Sequence, residues 1–437
     1  MKKIIIFLIF TAIGLSAQSK KLTLNESIQL GMANSKEIKI ANSKIISAEA
    51  EEKEYSAAML PKLSLGASYT RLSEIDPFQI TVPFSPAPIK ISDAIMNNYN
   101  IKMSLQQPLF TGFRLSSLKK AAQKRNEAIK TDMENEMNKV SLQIQTAYWN
   151  YYKAVKVVEL VEENSIRLKK HLEDTKNFLD NGLVTKNDYL KIDVLYSSNE
   201  LQKITAENSK NITRLAFNKA LGIELNSPTE LDMQTLPEEN VKYNYEEALN
   251  EAKKNRAELK SANIRLESVE SLVTASKSTW YPNIYLFGNV YYNRPNQRIQ
   301  PTKDEFKDTW DAGISLSWDL WDWGTTSAKS TQAQEQLTQG QTQIKLLEEN
   351  IELEVYSNYL KVISETNKIK VSKKMLSSSE ENYRITKEKY DTQLVSSSDL
   401  IDAETNLLDS QISYLYSLID LKIANISLEK SIGRKIY

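Results

Sequence analysis

The second half of this chain repeats the first half, and no other feature constrains its fold as strongly. A shift of 221 positions without a gap aligns Asn34 with Asn255 and Pro61 with Pro282, and a shift of 211 aligns the residues that follow. The later matches are Tyr148 with Tyr359, Leu183 with Leu394, Asp188 with Asp399, and Gly222 with Gly433. Two copies of roughly 200 residues, neither able to close a core alone, predict a symmetric assembly unit that arose by gene duplication.

The alignment also predicts the boundaries of the chain's segments. The first structural repeat covers 18–222, an irregular linker covers 223–246, and the second structural repeat covers 247–437. Each repeat is predicted to contain a helix, a strand, a loop, a second strand, a very long helix, a turn and a second long helix. The opening helix of the first repeat is predicted over 25–59, because this stretch is rich in strong helix formers.

The first 17 residues have the pattern of a secretory signal peptide. Lys2 and Lys3 form a basic start, an apolar run covers 4–13, and the small residues of 15–17 fit a cleavage site. A transmembrane anchor is the alternative, but about 10 apolar residues fall short of the ~20 that span a bilayer. The pattern therefore predicts export.

Composition argues against an enzyme and against nucleic-acid binding. The chain has 56 basic and 56 acidic side chains, and without Lys2 and Lys3 the basic count falls to 54, which leaves no basic excess for nucleic acid. The absence of Cys and the single His, His171, exclude disulfides, a thiol nucleophile and the common transition-metal sites within one chain. We expect His171 to be a solvated surface residue. There is no GxxxxGK[ST] phosphate loop either, so the sequence predicts no enzyme activity, no cofactor and no metal site.

Proline is absent between Pro108 and Pro228 and again after Pro301, which permits very long helices. We predict them over about 113–180 and 325–391, and ~65 residues at 1.5 Å per residue reach ~100 Å. The helices after the turns carry apolar residues at spacings of 3, 4 and 7, which is typical of coiled coils. These residues are Leu190, Val194, Leu201, Ile204, Ile212 and Leu215 in the first repeat, and Leu408, Ile412, Leu415, Ile419 and Ile426 in the second.

Four short segments alternate apolar and polar residues, which indicates one-sided β-strands. They are predicted over about 62–72, 99–109, 283–292 and 311–320, with loops at 73–98 and 293–309. Five of the six Trp (Trp280, Trp310, Trp318, Trp321 and Trp323) lie near the ends of the second strand pair, as expected at a membrane–water interface. A soluble sheet is the alternative. In lipid every strand edge must be paired, so four membrane strands per chain require an oligomer that closes a shared barrel.

Three short motifs occur in both halves in the same order. LPKLSL at 60–65 is echoed by YPNIYL at 281–286, and QPLFTG at 107–112 is echoed by DLWDWG at 319–324. The turn NGLVTKND at 181–188 is echoed by TQLVSSSD at 392–399. Together with the signal peptide, the strand pairs and the long helices, these motifs resemble the TolC family of outer-membrane efflux and secretion channels over essentially the whole mature chain.

The resemblance implies a mainly α-helical fold with membrane β-structure. Three chains would each give four strands to a twelve-stranded β-barrel that continues as an α-helical tunnel into the periplasm of a Gram-negative bacterium. The implied function is a passive outer-membrane exit duct for efflux or type I secretion, coupled through a periplasmic adaptor (membrane fusion) protein to an inner-membrane RND or ABC transporter. The alternative is a non-conducting structural coiled-coil protein of the envelope. Drugs, metal ions, small molecules and proteins all remain open as cargo.

Two aspartates just past the second turn, Asp399 and Asp402, lie three residues apart and therefore on one face of a helix. The resemblance matches them to two carboxylate rings at the pore constriction, where crowded negative charges attract cations. The alternative is that they are first-turn residues favoured by the helix dipole. The resemblance also matches Asp188 and Tyr390 to the family's gate, although the gate's Arg is replaced here by Val395.

The two turns themselves are predicted to present apolar residues at a helix–turn–helix tip. These residues are Gly182, Leu183, Val184, Leu394 and Val395. Exposed apolar residues at such a tip indicate a docking surface, and the resemblance implies that the periplasmic adaptor docks there.

Overall fold

The computed structural model describes residues 21–92, 94–232 and 243–437, so the predicted signal peptide and residues 233–242 of the predicted linker lie outside the described residues. The helices are α1 (Leu24–Asn34), α2 (Lys36–Ala57), α3 (Arg114–Asp180), α4 (Lys186–Leu221), α5 (Tyr245–Asn255), α6 (Ala257–Ser276), α7 (Thr325–Asp391) and α8 (Ser397–Ser431). The strands are β1 (Lys21–Leu22), β2 (Lys62–Arg71), β3 (Phe78–Ile80), β4 (Ile89–Ser92), β5 (Asn97–Thr111), β6 (Glu230–Leu231), β7 (Asn283–Arg294) and β8 (Lys307–Ser317).

The chain forms two compact units. The first comprises the residues up to Asn42 together with 132–258 and 347–437, and the second comprises 43–131 together with 259–346. Each unit contains segments from both halves of the sequence. Compact packing therefore does not follow the boundary between the two sequence repeats.

Equivalent elements recur at the two shifts found in the sequence. Helix α1 begins at residue 24 and α5 at 245, a difference of 221. Helix α3 begins at 114 and α7 at 325, a difference of 211, and both contain 67 residues. The left-handed residues that follow α4 and α8 also correspond, because Gly222 has φ 67° and Gly433 has φ 82°. The two halves thus share backbone detail as well as element order.

The Pro-free stretches of the sequence form the two longest helices, α3 and α7. Their 67 residues correspond to about 100 Å of helix at 1.5 Å per residue. The observed bounds lie within one residue of the predicted 113–180 and 325–391. Among the residues that the structure describes, no helix is both long and apolar enough to cross a membrane.

Three of the shorter segments differ from the sequence prediction. The helix predicted over 25–59 is two helices, α1 and α2, separated at Ser35, whose Oγ accepts a 3.1 Å hydrogen bond from the backbone N–H of Ile38 and so starts a new helix. The linker predicted to be irregular contains β6, which pairs in parallel with β1. The predicted loop 73–98 contains the hairpin of β3 and β4. Strands of two to four residues are too short to show a period of two.

The longer strands form one antiparallel sheet in the order β2-β5-β7-β8. Strand β5 continues past its predicted end at 109, because the register shifts between Pro108 and Phe110 and such a bulge accommodates a residue that cannot donate a hydrogen bond. Strand β8 ends at Ser317, three residues before the predicted end at 320. This sheet lies entirely in the second unit.

The main apolar core of the first unit lies beside the short β1–β6 pair. Ile144 and Tyr148 of α3 pack there with Phe217 and Leu221 of α4. Gly31 of α1 lies so close that a Cβ atom at this position would clash with the Ile144 side chain. Glycine therefore allows α1 to approach α3.

Candidate functional site

One face of the four-stranded sheet is apolar and exposed. Leu65 pairs with Met103, Met103 with Val290, and Val290 with Trp310, so these four side chains form one row across the sheet. All four are exposed. The adjacent row, on the opposite face, contains Ser64, Ser104, Asn289 and Asp311. This sheet is therefore apolar on one side and polar on the other, as a strand period of two requires.

The two outer strands of this sheet, β2 and β8, each have one edge without a strand partner in the described part of the chain. Such an edge presents a row of free backbone N–H and C=O groups that can pair with another chain. The five Trp singled out in the sequence are all exposed. Exposed Trp at the ends of strands is typical of the membrane–water interface.

The first helix turn, between α3 and α4, has a well-defined hydrogen-bond pattern. Gly182 has φ 72°, and the N–H groups of Gly182 and Leu183 donate to carbonyls of the last turn of α3, which is the Schellman arrangement. Thr185 and Asp188 then form a capping box that begins α4. Hydrogen bonds from the hydroxyl and backbone N–H of Thr185, at 2.7 and 3.1 Å, hold the pKa of Asp188 below its usual value.

The second turn, between α7 and α8, repeats this arrangement. Gln393 has φ 62° at the position of Gly182. Ser396 and Asp399 form the capping box of α8. The hydroxyl and backbone N–H of Ser396 donate to Asp399 Oδ2 at 2.7 and 2.9 Å and hold the pKa of Asp399 below its usual value. The motif T/S-x-x-D was present in the sequence at both turns, so the capping role could have been predicted.

Asp399 therefore caps a helix within the single chain, as the dipole-based alternative for this residue supposed. Asp402 lies one turn further along α8 and is exposed. The carboxylates of Asp399 and Asp402 lie on the same helix face by their spacing. Both are accessible to solvent, so a capping role and a cation-binding role are compatible for Asp399.

The apolar residues of the turns are exposed to different degrees. Leu183 and Leu394 are 56% and 76% exposed, whereas Val184 and Val395 are half-buried. Gly182 is exposed. Lys191 Nζ, in the second turn of α4, donates to the Ser398 hydroxyl at 3.1 Å, so the starts of α4 and α8 lie side by side.

Tyr390, the predicted gate residue, is buried among three helices. Its hydroxyl lies 3.1 Å from Thr175 Oγ1 of α3 and accepts a 3.3 Å hydrogen bond from Ser397 of α8. Its ring also contacts Phe178 of α3, with 6.3 Å between the centroids. Within one chain, the two predicted gate residues Tyr390 and Asp188 therefore form hydrogen bonds with different partners and not with each other.

His171 is buried, and the prediction that it is a solvated surface residue was wrong. Its imidazole is packed edge-on against the Tyr390 ring at 5.0 Å, and its Nδ1 lies 3.5 Å from a carboxylate oxygen of buried Glu404. The polar composition of α3 concealed this burial, because the residues of a narrow packing seam are a minority of a long helix. The burial of Glu404, on α8, was not predicted either.

Two apolar stripes on α4 and α7 are exposed. The stripe on α4 comprises Leu190, Val194, Leu201, Ile204 and Ile212, and the stripe on α7 comprises Leu353, Leu360, Ile363, Val371, Met375 and Ile385. In contrast, Leu408 and Ile419 of the predicted seam on α8 are buried within the chain. Coiled-coil spacing alone therefore does not distinguish a seam used inside the chain from one left open.

Comparison with known proteins gives the following matches. A family model described as "Outer membrane efflux protein" matches residues 27–223 and 248–434. Outer membrane protein TolC of Vibrio cholerae is 20% identical over 378 residues, which cover 86% of this chain and 83% of that protein.

Similar folds occur among solved structures. The CusC channel superposes with a TM-score of 0.79 at 15% identity, covering 94% of this chain and 92% of CusC. The outer membrane protein VceC of Vibrio cholerae superposes with a TM-score of 0.77 at 17% identity, covering 95% of this chain and 97% of VceC. At these identities the likeness concerns the fold alone.

Proposed function

Because the chain belongs to the outer membrane efflux protein family, we propose that it assembles as a trimer into a passive exit duct for efflux. It is an outer-membrane protein of a Gram-negative bacterium that extends into the periplasm, and it is a channel-family protein rather than an enzyme. The trimer, the coupled partners and the functional residues named below are parts of the proposal.

The observation that carries the proposal is the sheet with one apolar face and with two edges that are unpaired in the described part of the chain. In hydrocarbon an unpaired backbone group costs several kcal/mol, so only a closed set of strands is stable there. Four strands cannot enclose a pore by themselves. Three copies supply twelve strands, which fits the even strand numbers of bacterial outer-membrane barrels.

The two exposed helix stripes support the same assembly. Helices α4 and α7 run in opposite directions from neighbouring turns, so residues at equal distances from the turns lie at the same level. Ile204 lies 21 residues after Leu183, and Val371 lies 23 residues before Leu394. Ile212 and Ile363 lie 29 and 31 residues from the same two positions. We infer that α4 of one protomer packs against α7 of the next, burying both stripes.

The proposed partners are a periplasmic adaptor and an inner-membrane transporter of the RND or ABC class, with type I secretion as an alternative use of the duct. The adaptor contact is assigned to Gly182, Leu183, Val184, Leu394 and Val395. The exposure of Leu183 and Leu394 supports this assignment, since an exposed apolar tip favours a protein partner. Because a charge at an apolar contact is costly to desolvate, Leu183→Asp or Leu394→Asp would reduce efflux at unchanged trimer level.

Asp399 and Asp402 are proposed to form two cation-binding rings at the periplasmic constriction, and Asp188 and Tyr390 are proposed to control its closure. Substitution by Asn removes the charge of Asp399 while leaving an oxygen that can still cap α8. Asp399→Asn with Asp402→Asn is therefore expected to abolish block by a trivalent cation added on the periplasmic side. Block as tight as in the wild type would exclude these carboxylates from the lumen.

Conductance of the purified protein in planar bilayers tests the central proposal. The expected result is discrete steps from a trimer that retains its assembly in detergent. A trimer that inserts but never conducts, in the wild type or in variants with weakened helix turns, would instead support the structural coiled-coil alternative.

A further inference from the structure

His171 and Glu404 form a buried acid–base pair between α3 and α8. Their side chains are only 5% and 3% exposed, and Nδ1 of His171 lies 3.5 Å from Oε2 of Glu404. Leu168 and Ala403, which lie three residues and one residue before the two groups on the same helices, are each only 1% exposed. Water that could solvate a lone charge is therefore largely excluded from this pair.

The hydrogen-bonding capacity of the pair is incompletely used. Neither ring nitrogen of His171 nor Oε2 of Glu404 has a hydrogen-bond partner among the described residues. The neutral imidazole and the carboxylate can share one additional proton. The pair then contains either a neutral imidazole beside a neutral acid or an imidazolium beside a carboxylate. If that proton is lost, a buried carboxylate remains without a compensating charge, which is strongly unfavourable.

Other titratable groups near this pair lie on α3 and on α7. Tyr383 of α7 has a raised pKa, chiefly because it is buried; the charge of Glu404 adds to the rise and that of Arg167 opposes it. The Arg167 guanidinium donates to Asn164 Oδ1 at 3.0 Å. The charge of Asp391, at the end of α7, also raises the pKa of Tyr383.

The pair lies next to the cluster that joins the helix turns. The His171 ring packs against Tyr390, and the Tyr390 hydroxyl contacts Thr175 of α3 and Ser397 of α8. Separation of α3 from α8 would therefore disrupt the contacts of Tyr390 as well. We propose that His171 and Glu404 form a proton-holding latch that keeps α3 against α7 and α8, so that loss of the proton favours opening of the periplasmic end.

This inference rests on the proposed channel function. The composition of the chain allows it to be tested by changing the pH. The chain has one His and no Cys. Histidine is the only side chain whose ordinary pKa falls between about pH 5 and 8. The capping acids Asp188 and Asp399 have lowered pKa values and stay ionised throughout this range. A conductance change between about pH 6 and pH 8 that disappears in Glu404→Gln would thus be attributable to the pair.

The experiment compares wild-type, His171→Gln and Glu404→Gln trimers in planar bilayers at about pH 6 and pH 8, with affinity tags that contain no His. In the wild type, open probability should rise about tenfold from the lower to the higher pH, because the proton-bound pair stabilises the closed form. Glu404→Gln removes the charge and should remain closed at both pH values. His171→Gln leaves Glu404 without a partner that can carry a positive charge and should open more readily than the wild type at both pH values.

Two controls separate the latch from general loss of packing. Glu365 of α7 is as buried as His171, and one of its oxygens also has no hydrogen-bond partner within the described ranges. Glu365→Gln should keep the wild-type pH dependence. The exchanged pair His171→Glu with Glu404→His should restore that dependence. A wild-type trimer that conducts without any pH dependence, or a Glu404→Gln trimer that keeps it, would overturn the latch.

Amide hydrogen exchange distinguishes failure of the latch from failure of the channel proposal. After correction for intrinsic rates, protection of 168–178 and 397–407 in the purified wild-type trimer should fall at the higher pH, and protection in Glu404→Gln should not. This readout requires no conductance. Unchanged protection in the wild type would exclude the latch even if the protein proved not to be a channel.

Discussion

At the scale of single residues, the two helix turns place different residue types at the same left-handed backbone position. Gly182 and Gln393 have φ 72° and 62°, and a Cβ added at Gly182 would meet no atom within 4 Å. Any effect of a side chain at this position on the stability of the turn therefore reflects backbone strain, which glycine avoids and glutamine does not. We expect Gln393→Gly to stabilise its turn by about 1 kcal/mol and Gly182→Ala to destabilise the other by a similar amount.

Native-state amide exchange in the first turns of α4 and α8 would measure both effects. Each substitution serves as the control for the other, because each should change protection only in the helix that follows its own turn. Weaker protection of α8 in Gln393→Gly would show that the glutamine side chain makes a contact worth more than the strain.

The capping acids give the turns a defined dependence on pH. Asp188 and Asp399 have folded-state pKa values below the ordinary 3.8, because they accept hydrogen bonds from Thr185 and Ser396. Their stabilisation is therefore complete above the unfolded value and is lost as the pH falls through the lower folded value. Protection of the first turns of α4 and α8 should be constant from about pH 6 to pH 5 and should decrease below about pH 4. Thr185→Ala and Ser396→Ala should reduce protection throughout and weaken this dependence.

The residues of the site were predictable to different degrees, for physical reasons. Asp188 and Asp399 stand at positions of a local motif, and the structure forms the capping boxes that this motif favours. The burial of His171 was not predictable, because it depends on which face of α3 packs against α8 and not on neighbouring residues. Tyr390 was singled out by resemblance, but its hydrogen bonds to Thr175 and Ser397 are tertiary contacts.

At the scale of elements, the open stripes of α4 and α7 predict a specific contact between protomers. The chain has no native Cys, so any disulfide that forms in a variant with two introduced Cys residues must involve those residues. Ile204→Cys with Val371→Cys should form disulfide-linked dimers and trimers on mild oxidation, because both residues lie at one level of antiparallel helices. Non-reducing electrophoresis of membrane fractions would detect these species.

Ile204→Cys with Ile385→Cys provides the matched control. Ile385 lies on the same stripe as Val371 but 14 residues nearer the turn, which corresponds to about 21 Å along the helix. This pair should remain monomeric on oxidation, since a disulfide requires Cα atoms within about 7 Å. Equal cross-linking of both pairs would indicate random collision rather than the proposed packing.

Long elements were predictable from the sequence and short ones were not. Helices α3 and α7 follow from the absence of Pro over more than 60 residues, so their bounds agree closely with the prediction. Strands β1 and β6 contain two residues each, and their pairing depends on segments that are far apart in the chain. Helix α2 was merged with α1 because Ser35 is a weak signal inside a strong helical pattern.

At the scale of the whole molecule, the orientation of the sheet decides whether the chain can enter a membrane. Met103 and Val290 pair with each other in neighbouring strands on the apolar face, and Ser104 and Asn289 pair one position further along on the polar face. A Lys on the lipid-facing side of a membrane strand costs about 2–4 kcal/mol near the bilayer midplane. The same Lys on the other side faces a polar lumen and costs little.

Met103→Lys and Val290→Lys should therefore reduce the amount of trimer in the outer membrane, whereas Ser104→Lys and Asn289→Lys should leave it near the wild-type level. Trimer content is measured in outer-membrane fractions by electrophoresis without heating. Because each apolar-face variant has a control at an adjacent position in the same strand, general damage to the strand would lower all four. Normal assembly of the apolar-face variants with loss of the polar-face variants would mean that the opposite face contacts lipid. Normal trimer content in all four variants would mean that this sheet does not enter the hydrocarbon. The argument from unpaired edges for a closed trimer would then no longer apply.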